Sequence, residues 1–372
     1  CSSDLIDLLK PLTTVMMMRD TQRDTFILNR GSYSSPTERK VTQGTPAILP
    51  PMLSDLPTNR LGLARWLFQP DHPLTARVAV NRYWQMLFGT GLVATPEDFG
   101  SQGDYPSHPE LLDWLAVDFR ESGWDVKRMI KQLVMSATYR QSAKTTPDRY
   151  AHDPNNRLLA RGPRFRLQGE FIRDNVLMIS GLLNEQMGGP GVKPYQPPGL
   201  WAEVGLSGKP NFVQDHDEKL FRRSLYTYWK RSAPPPSMQI FDAPTREKCT
   251  IRRPRTNTPL QALVTLNDVQ FVEAARHFAQ RMMLEGGDSP EKRLAFAYLH
   301  AIAREPSESE RATLLAVFTA AREHFDNDAE AVKQLLSFAE SKRDESLDAV
   351  EHAAWTIVAS SILNLDETLT RG

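Results

Sequence analysis

The sequence predicts a mostly α, multi-helix globular fold with a small β element and long irregular Pro/Gly-rich loops. Three observations carry that prediction. Apolar residues recur at helical spacing through most of the chain. Capping-box pairs stand ahead of apolar runs at Ser107/Glu110, Thr258/Gln261 and Ser307/Glu310. Only SLYTYWKR, Ser224 to Arg231, has the aromatic and threonine content of a strand.

Residues 1–58 are mixed, with a turn signal at Asn29-Arg30-Gly31 and prolines crowded from Pro46 to Pro57, and read as an extended lead-in from a preceding domain. Residues 59–372 read as one large helical domain, with a finer division into sub-domains 59–185 and 219–372 about the loop 186–218. Within it, Leu61 to Phe68 and Leu74 to Phe88 are helical, the second closed by Gly89 and apolar nearly all round, so buried. Arg77, Asn81 and Gln85 form a polar stripe along that helix and must find partners. Pro109 opens a helix that Gly123 ends, and Asp125 caps another from Val126 to about Arg140. Leu167 to Leu183 is helical, with Glu170, Arg173, Asp174 and Ser180 on one arc. The stretch 187–218, containing GGPGVKPYQPPGLW, is long enough to be a functional or a mobile loop. Thr258 with Pro259, Asn267-Asp268, Asp288-Ser289-Pro290 and Ser307 then start successive helices, and Ser346 to Leu363 is the last.

The 372 residues carry 45 basic and 45 acidic side chains, a formal net charge of zero. A general nucleic-acid or membrane-surface binder shows a basic excess over a whole domain, so any anion site here must be local. No apolar run reaches the length of a membrane span. The two cysteines, Cys1 and Cys249, exclude a disulfide framework and any CxxC or CxxCH motif. Cys1 reads as the cut end of a longer chain in preference to a lipoprotein terminus.

Four constellations are chemically notable. In KCTIRRPRTNTPLQAL, Arg252, Arg253 and Arg255 precede a helix N-terminus, the arrangement a carboxylate, sulfate or phosphate needs. Pairing with internal carboxylates such as Asp242, Glu247 or Asp174 is the favoured reading. In RGPRFRLQGEFIRDN, Arg161, Arg164 and Arg166 lead into a helix with Glu170, Arg173 and Asp174. Glu170 and Asp174, at i and i+4, are the candidates for acid–base chemistry, although Arg173 between them favours an ion-pair network. The eight histidines lack metal-ligand spacing, and Asp215-His216-Asp217-Glu218 reads as a solvated turn, so no metal is expected. Tyr195, Trp201, Tyr226, Tyr228 and Trp229 suit either a sugar-stacking surface or packing of the loop onto the helices. Cys249 beside Lys248 reads as a buried, inert thiol.

Ordered blocks resemble a known family: LARWLFQPDHPLTARVAVNRYWQMLFGTGLV, DFGSQGDYPSHPELLDWLA, RGPRFRLQGEFIRDNVLMISGLL, RRSLYTYWKRSAPPPSMQIFDAPTREKC and RTNTPLQALVTLND. Together they are similar to the domain of unknown function 1553, the planctomycete cytochrome C-associated domain, from about Pro57 to the end of the chain. The resemblance implies an extracytoplasmic location, and upstream cytochrome-c-like and uncharacterised domains of the same polypeptide as partners. Haem c is implied only for that upstream domain, with no cofactor in this chain. The expected function is a helical module working beside a c-type cytochrome in electron transfer or polymer handling. The alternatives are an enzyme on an anionic or sulfated carbohydrate and a structural assembly domain. No catalytic residues follow from the resemblance. Arg252, Arg253, Arg255, Arg164, Arg166, Arg173, Arg77 and Asn81 stand as anion-binding candidates, and Tyr195 and Trp201 as recognition candidates.

Overall fold

The computed structural model describes residues 16–17, 21, 23–204 and 212–372, so Cys1 and part of the Pro/Gly loop, 205–211, lie outside the described residues. The described chain is mostly helical, with fifteen α-helices and two two-stranded antiparallel sheets. Two compact units divide it, Cys1–Thr75 and Ala76–Gly372.

The first unit holds a hairpin of β1 (Thr25–Leu28) and β2 (Pro36–Val41), in a segment that was expected only to be extended. The turn signal at Asn29-Arg30-Gly31 falls between its strands, where the chain forms a 3₁₀ turn. Asn59 caps α1 (Arg60–Leu67) by accepting from the Gly62 amide at 3.1 Å. The buried Trp66 indole donates to the Pro50 carbonyl at 2.7 Å, which ties the proline-rich stretch to this helix.

The second unit has two apolar cores. In the first, α2 (Thr75–Phe88), α3 (Pro109–Glu121) and α4 (Val126–Met135) bury Val80, Trp84, Phe88, Leu112, Leu115, Phe119, Met129 and Leu133. Helix α2 is buried on one face, not all round: Val80, Trp84 and Phe88 recur every fourth residue while Arg82 and Met86 face solvent. Two expectations fail locally. Ser107 does not cap α3, because its hydroxyl meets the His108 ring and His108 takes the N-cap position. Helix α4 stops at Met135, five residues short of the expected end, where the Ser136 hydroxyl accepts from the Tyr139 amide in a fresh turn.

Helix α5 (Pro147–His152) and strand β3 (Phe165–Arg166) lead to α6 (Gly169–Ser180), and the short α7 (Leu200–Glu203) and α8 (Pro236–Ile240) follow. Then come α9 (Pro259–Asn267), α10 (Val269–Glu285), α11 (Pro290–Ile302), α12 (Glu308–Asp326), α13 (Ala329–Leu336), α14 (Ala349–Leu363), α15 (Asp366–Leu369) and β4 (Thr370–Arg371). The second core gathers around α14, whose Ala353, Ala354, Trp355, Val358, Ala359 and Ile362 are fully buried against α10, α12 and α13. Alanines at 274, 275 and 279 of α10 let the α10 and α14 backbones approach closely, while Phe278 and Met282 fill the remaining space. Ser307 and Glu310 form the expected capping box of α12. Thr258 is the N-cap of α9 but makes no side-chain cap bond, because Gln261 is buried and donates instead to the Ile240 carbonyl and the Thr256 hydroxyl.

The strand expected at Ser224 to Arg231 is absent. Ser224–Tyr226 is a 3₁₀ turn, and the extended residues after it make only isolated bridges, Val192 with Thr227 and Lys230 with Ala233. The unit's strand pair is β3 with β4, which brings residues near 165 to the end of the described chain.

Candidate functional site

Most sequence-singled arginines are tied to the fold. Arg173, on α6, is 5% exposed. Its guanidinium donates to the Leu220 carbonyl at 2.6 Å, the Arg222 carbonyl at 2.8 Å, the Ser224 hydroxyl at 3.3 Å and the Gln270 side chain, with the Asp174 carboxylate 3.6 Å away. Burial pulls its pKa down to about 10, an effect Asp174 and Asp268 partly offset, so it stays charged at neutral pH. Asp174 itself accepts from the Ser224 amide and hydroxyl, both at 2.7 Å. Glu170 pairs with Arg253 at 2.7 Å and Arg246 at 3.8 Å. Both carboxylates proposed for acid–base work are thus engaged in binding elements together.

Arg252 pairs with Glu97 at 2.7 Å. Arg164 and Arg166 both reach Asp366, at 2.6 Å and 3.5 Å. Arg77 meets Asp113 at 2.6 Å. Asn81, fully buried, clasps Val93 through both backbone groups at 3.0 Å and 2.9 Å. Arg253 finds Glu170, not Asp242, Glu247 or Asp174; Asp242 accepts instead from the Thr256 amide and hydroxyl.

The recognition aromatics lie inward. Trp201 is 7% exposed, covered by Phe212 and Tyr228, with the Lys230 ammonium 4.6 Å from its ring centre. The half-buried Tyr195 hydroxyl accepts from the Glu340 amide at 3.1 Å, and burial with neighbouring Glu273 raises its pKa. Cys249 is exposed, contrary to expectation, because it sits in the irregular turn before α9. Among the described residues no group of His, Cys, Asp and Glu is placed to hold a metal ion.

Arg255 differs from its neighbours. Among the described residues no carboxylate lies within ion-pair distance of it; it makes one long hydrogen bond, 3.3 Å, to the Gly89 carbonyl and lies 4.3 Å over the Phe165 ring. Burial lowers its pKa with nothing to offset the effect. It lines a cleft of about 430 Å³, within the size range of small-molecule sites. The end of α2 supplies Trp84 and Phe88, the Gly89–Gly91 turn supplies backbone, and the loop 143–165 supplies Tyr150, Asn156, Arg157, Arg161 and Phe165.

Of two further arginines of this cleft, Arg157 was not picked out from sequence and Arg161 was named only as a member of the RGPRFR cluster. Arg157 donates to the Gly91 and Leu92 carbonyls at 2.7 and 2.8 Å, and Arg161 to the Asp153 and Pro154 carbonyls at 2.9 and 2.8 Å. Neither has a carboxylate partner. The acid on the same loop, Asp153, directs both oxygens to the backbone amides of Arg157 and Leu158, each at 2.7 Å. Arg164 also lines the cleft, so four guanidiniums face a cavity lined by no acidic side chain and no histidine. The available signals were the alternation of arginines in RGPRFR and the Asp-Pro-Asn-Asn turn that delivers Arg157.

The cleft is also locally strained. Asn156 and Leu159 hold φ of 49° and 58°, and the Asn156 Oδ1 is buried without a hydrogen-bond partner. Such backbone persists where surrounding structure imposes it, often at ligand clamps. Gly89, at φ +84°, is required twice over: a Cβ there would be strained and would come within 2.8 Å of Phe165 and 3.3 Å of Arg255. Chemically, the lining is positively charged and aromatic-edged, with no acidic side chain in it.

No curated protein and no solved structure matches this chain. Residues 59–318 match the family PSD1, described as "Protein of unknown function (DUF1553)". The match spans the α1–α5 region, the arginine cleft and the core helices through most of α12, and the chain belongs to that PSD1 (DUF1553) family.

Proposed function

We propose that this chain is an extracytoplasmic helical module that works beside a c-type cytochrome domain and binds an anionic carbohydrate in the arginine cleft. The observation that carries the ligand class is the charge imbalance: Arg157, Arg161 and Arg255 face about 430 Å³ of space with backbone carbonyls as hydrogen-bond partners, ring contacts for Arg161 and Arg255, and no carboxylate among the described residues. Keeping such cations partly desolvated without a carboxylate is costly, and an anionic ligand removes that cost when it binds. Tyr150, 56% exposed at the rim, offers a ring face for a sugar. The cytochrome partner and the location rest on the family's association with cytochrome c domains.

Binding, in preference to hydrolysis, suits the lining, since Glu170 and Asp174 are absent from it and hold Arg253 and Ser224. Thermal unfolding with inorganic sulfate and with a sulfated disaccharide tests the reading. Both ligands should raise the melting temperature of the wild-type chain, and Arg255→Ala should remove most of the shift. An unchanged melting temperature with every anion tried would refute the cleft as an anion site.

A further inference from the structure

Resting on the reading of the cleft as a carbohydrate-anion site, we propose that the cleft is one end of a longer groove that accommodates a linear acidic oligosaccharide. The chain would pass over Gly162 and Pro163 into a second cavity of about 310 Å³, which these two residues also line. The second cavity carries its own cations, Arg140 and Arg371, is also lined by Tyr139 and Gly372, and has no acidic side chain in its lining.

Strand pairing places the two cavities on one side of the β3–β4 ribbon. Phe165, which lines the first, is directly opposite Arg371, which lines the second, and directly opposed residues of an antiparallel pair project to the same face. The ring contacts run the same way. Arg255 lies 4.3 Å over Phe165, Arg371 lies 3.9 Å over Tyr139, and Tyr139 packs edge-on at 5.6 Å against Phe88 of the first cavity. Guanidinium-on-ring pairs therefore occur in both cavities, Arg255 on Phe165 and Arg161 on Tyr150 in the first and Arg371 on Tyr139 in the second, and suit a ligand with repeated charge along its length. Gly162 is required in the divider because it packs on the backbone of residues 141–143: a Cβ there would lie 2.3 Å from the Gln141 carbonyl oxygen.

A saccharide fits better than a nucleic acid. The chain is neutral overall, so the positive field that gathers nucleic acid is missing outside the groove. Trp84 and Phe88 are only 4% and 8% exposed, which leaves Tyr150 as an open ring of the first cavity and no pair of platforms for successive bases.

Calorimetric titration of the full chain with a sulfated disaccharide and a sulfated hexasaccharide of the same repeat tests this. The hexasaccharide should bind about tenfold or more tightly, because its far end engages the second cavity at high effective concentration. Arg140→Ala, at an exposed position, should remove most of that advantage and leave the disaccharide affinity unchanged; Arg371→Gln should do the same. Equal affinities for the two sugars, or an Arg140→Ala effect shared by both, overturns the groove and leaves the cleft reading standing. Failure of both sugars to bind overturns the two together. A single-stranded oligonucleotide binding as tightly as the hexasaccharide, in competition with it, overturns the saccharide assignment.

Discussion

Two sets of arginines in the second unit differ in what neutralises them. Around α6, Arg173 closes on carbonyls and a glutamine contributed by other elements, with Asp174 beside it on the same helix, and Arg253 closes on Glu170 of α6. Around the 143–165 segment, Arg157, Arg161 and Arg255 hydrogen-bond carbonyls alone, with ring contacts for Arg161 and Arg255, and face open volume. The residue type is the same and so is the local sequence style, basic side chains beside turns. Under the proposed reading, a guanidinium that faces filled structure with a carboxylate nearby is a fastener, and one that faces open volume without a carboxylate is part of a receptor.

The comparison breaks most forcefully at Arg173. Arg173→Ala leaves the Leu220 and Arg222 carbonyls and the Gln270 side chain without their buried donor. Urea unfolding should show a loss of about 3–5 kcal/mol, or failure to fold. Glu170→Gln strands Arg253 and Arg246 at a position only 14% exposed, and should cost roughly 1–3 kcal/mol in the same measurement. Anion affinity per folded molecule should be unchanged in both.

Acid separates the two regions in another way. His277, on the same helix as Gln270, has its pKa lowered to about 4, first by burial and then by the nearby Arg276 and His352 charges. Its ordinary value is 6.5, so the unfolded chain takes up the proton first and the folded state loses stability as pH falls from 6.5 toward 4. The full effect is on the order of 1–3 kcal/mol, present above pH 6.5, and His277→Gln should flatten that slope. Guanidiniums do not titrate in this range, so the affinity for a sulfated ligand should stay level over the pH values at which the protein remains folded.

Arg255→Ala is expected to change stability by less than about 1 kcal/mol, since it removes one long hydrogen bond and a ring contact, while lowering anion affinity about tenfold. Arg252→Ala, which removes only an exposed pair with Glu97, should move stability by no more than about 0.5 kcal/mol and affinity not at all.

Helix starts were legible where the cap is a local affair. Ser307 with Glu310, Asp125 and Asp268 accept from amides within three residues, and no distant group competes. The starts at Pro109 and Pro259 were legible too, but not their cap bonds: Gln261 is drawn to the Ile240 carbonyl, distant in sequence, and to Thr256, and Ser107 is turned toward the adjacent His108 ring. SLYTYWKR has strand propensity but only single bridging partners, and propensity without a neighbouring edge makes no sheet.

The site was half legible for a similar reason. Arg164 and Arg255 were visible as members of basic clusters, and Arg253 and Arg252 were indistinguishable from them because Glu170 and Glu97 lie 83 and 155 residues away. Arg157 stands alone in sequence and becomes part of the site only because its loop folds back 66 residues to the Gly89–Gly91 turn. Arg371 reaches the neighbouring cavity through the β3–β4 pairing, a contact no local pattern announces.

The most direct test of the central claim is a paired measurement on Arg255→Ala and Glu170→Gln: sulfated-disaccharide affinity by calorimetry and folding stability by urea unfolding. The account predicts a crossed result, with affinity lost and stability kept in Arg255→Ala, and stability lost and affinity kept in Glu170→Gln. Affinity that falls in step with stability in both variants, or a wild-type chain that binds no anion, would contradict it.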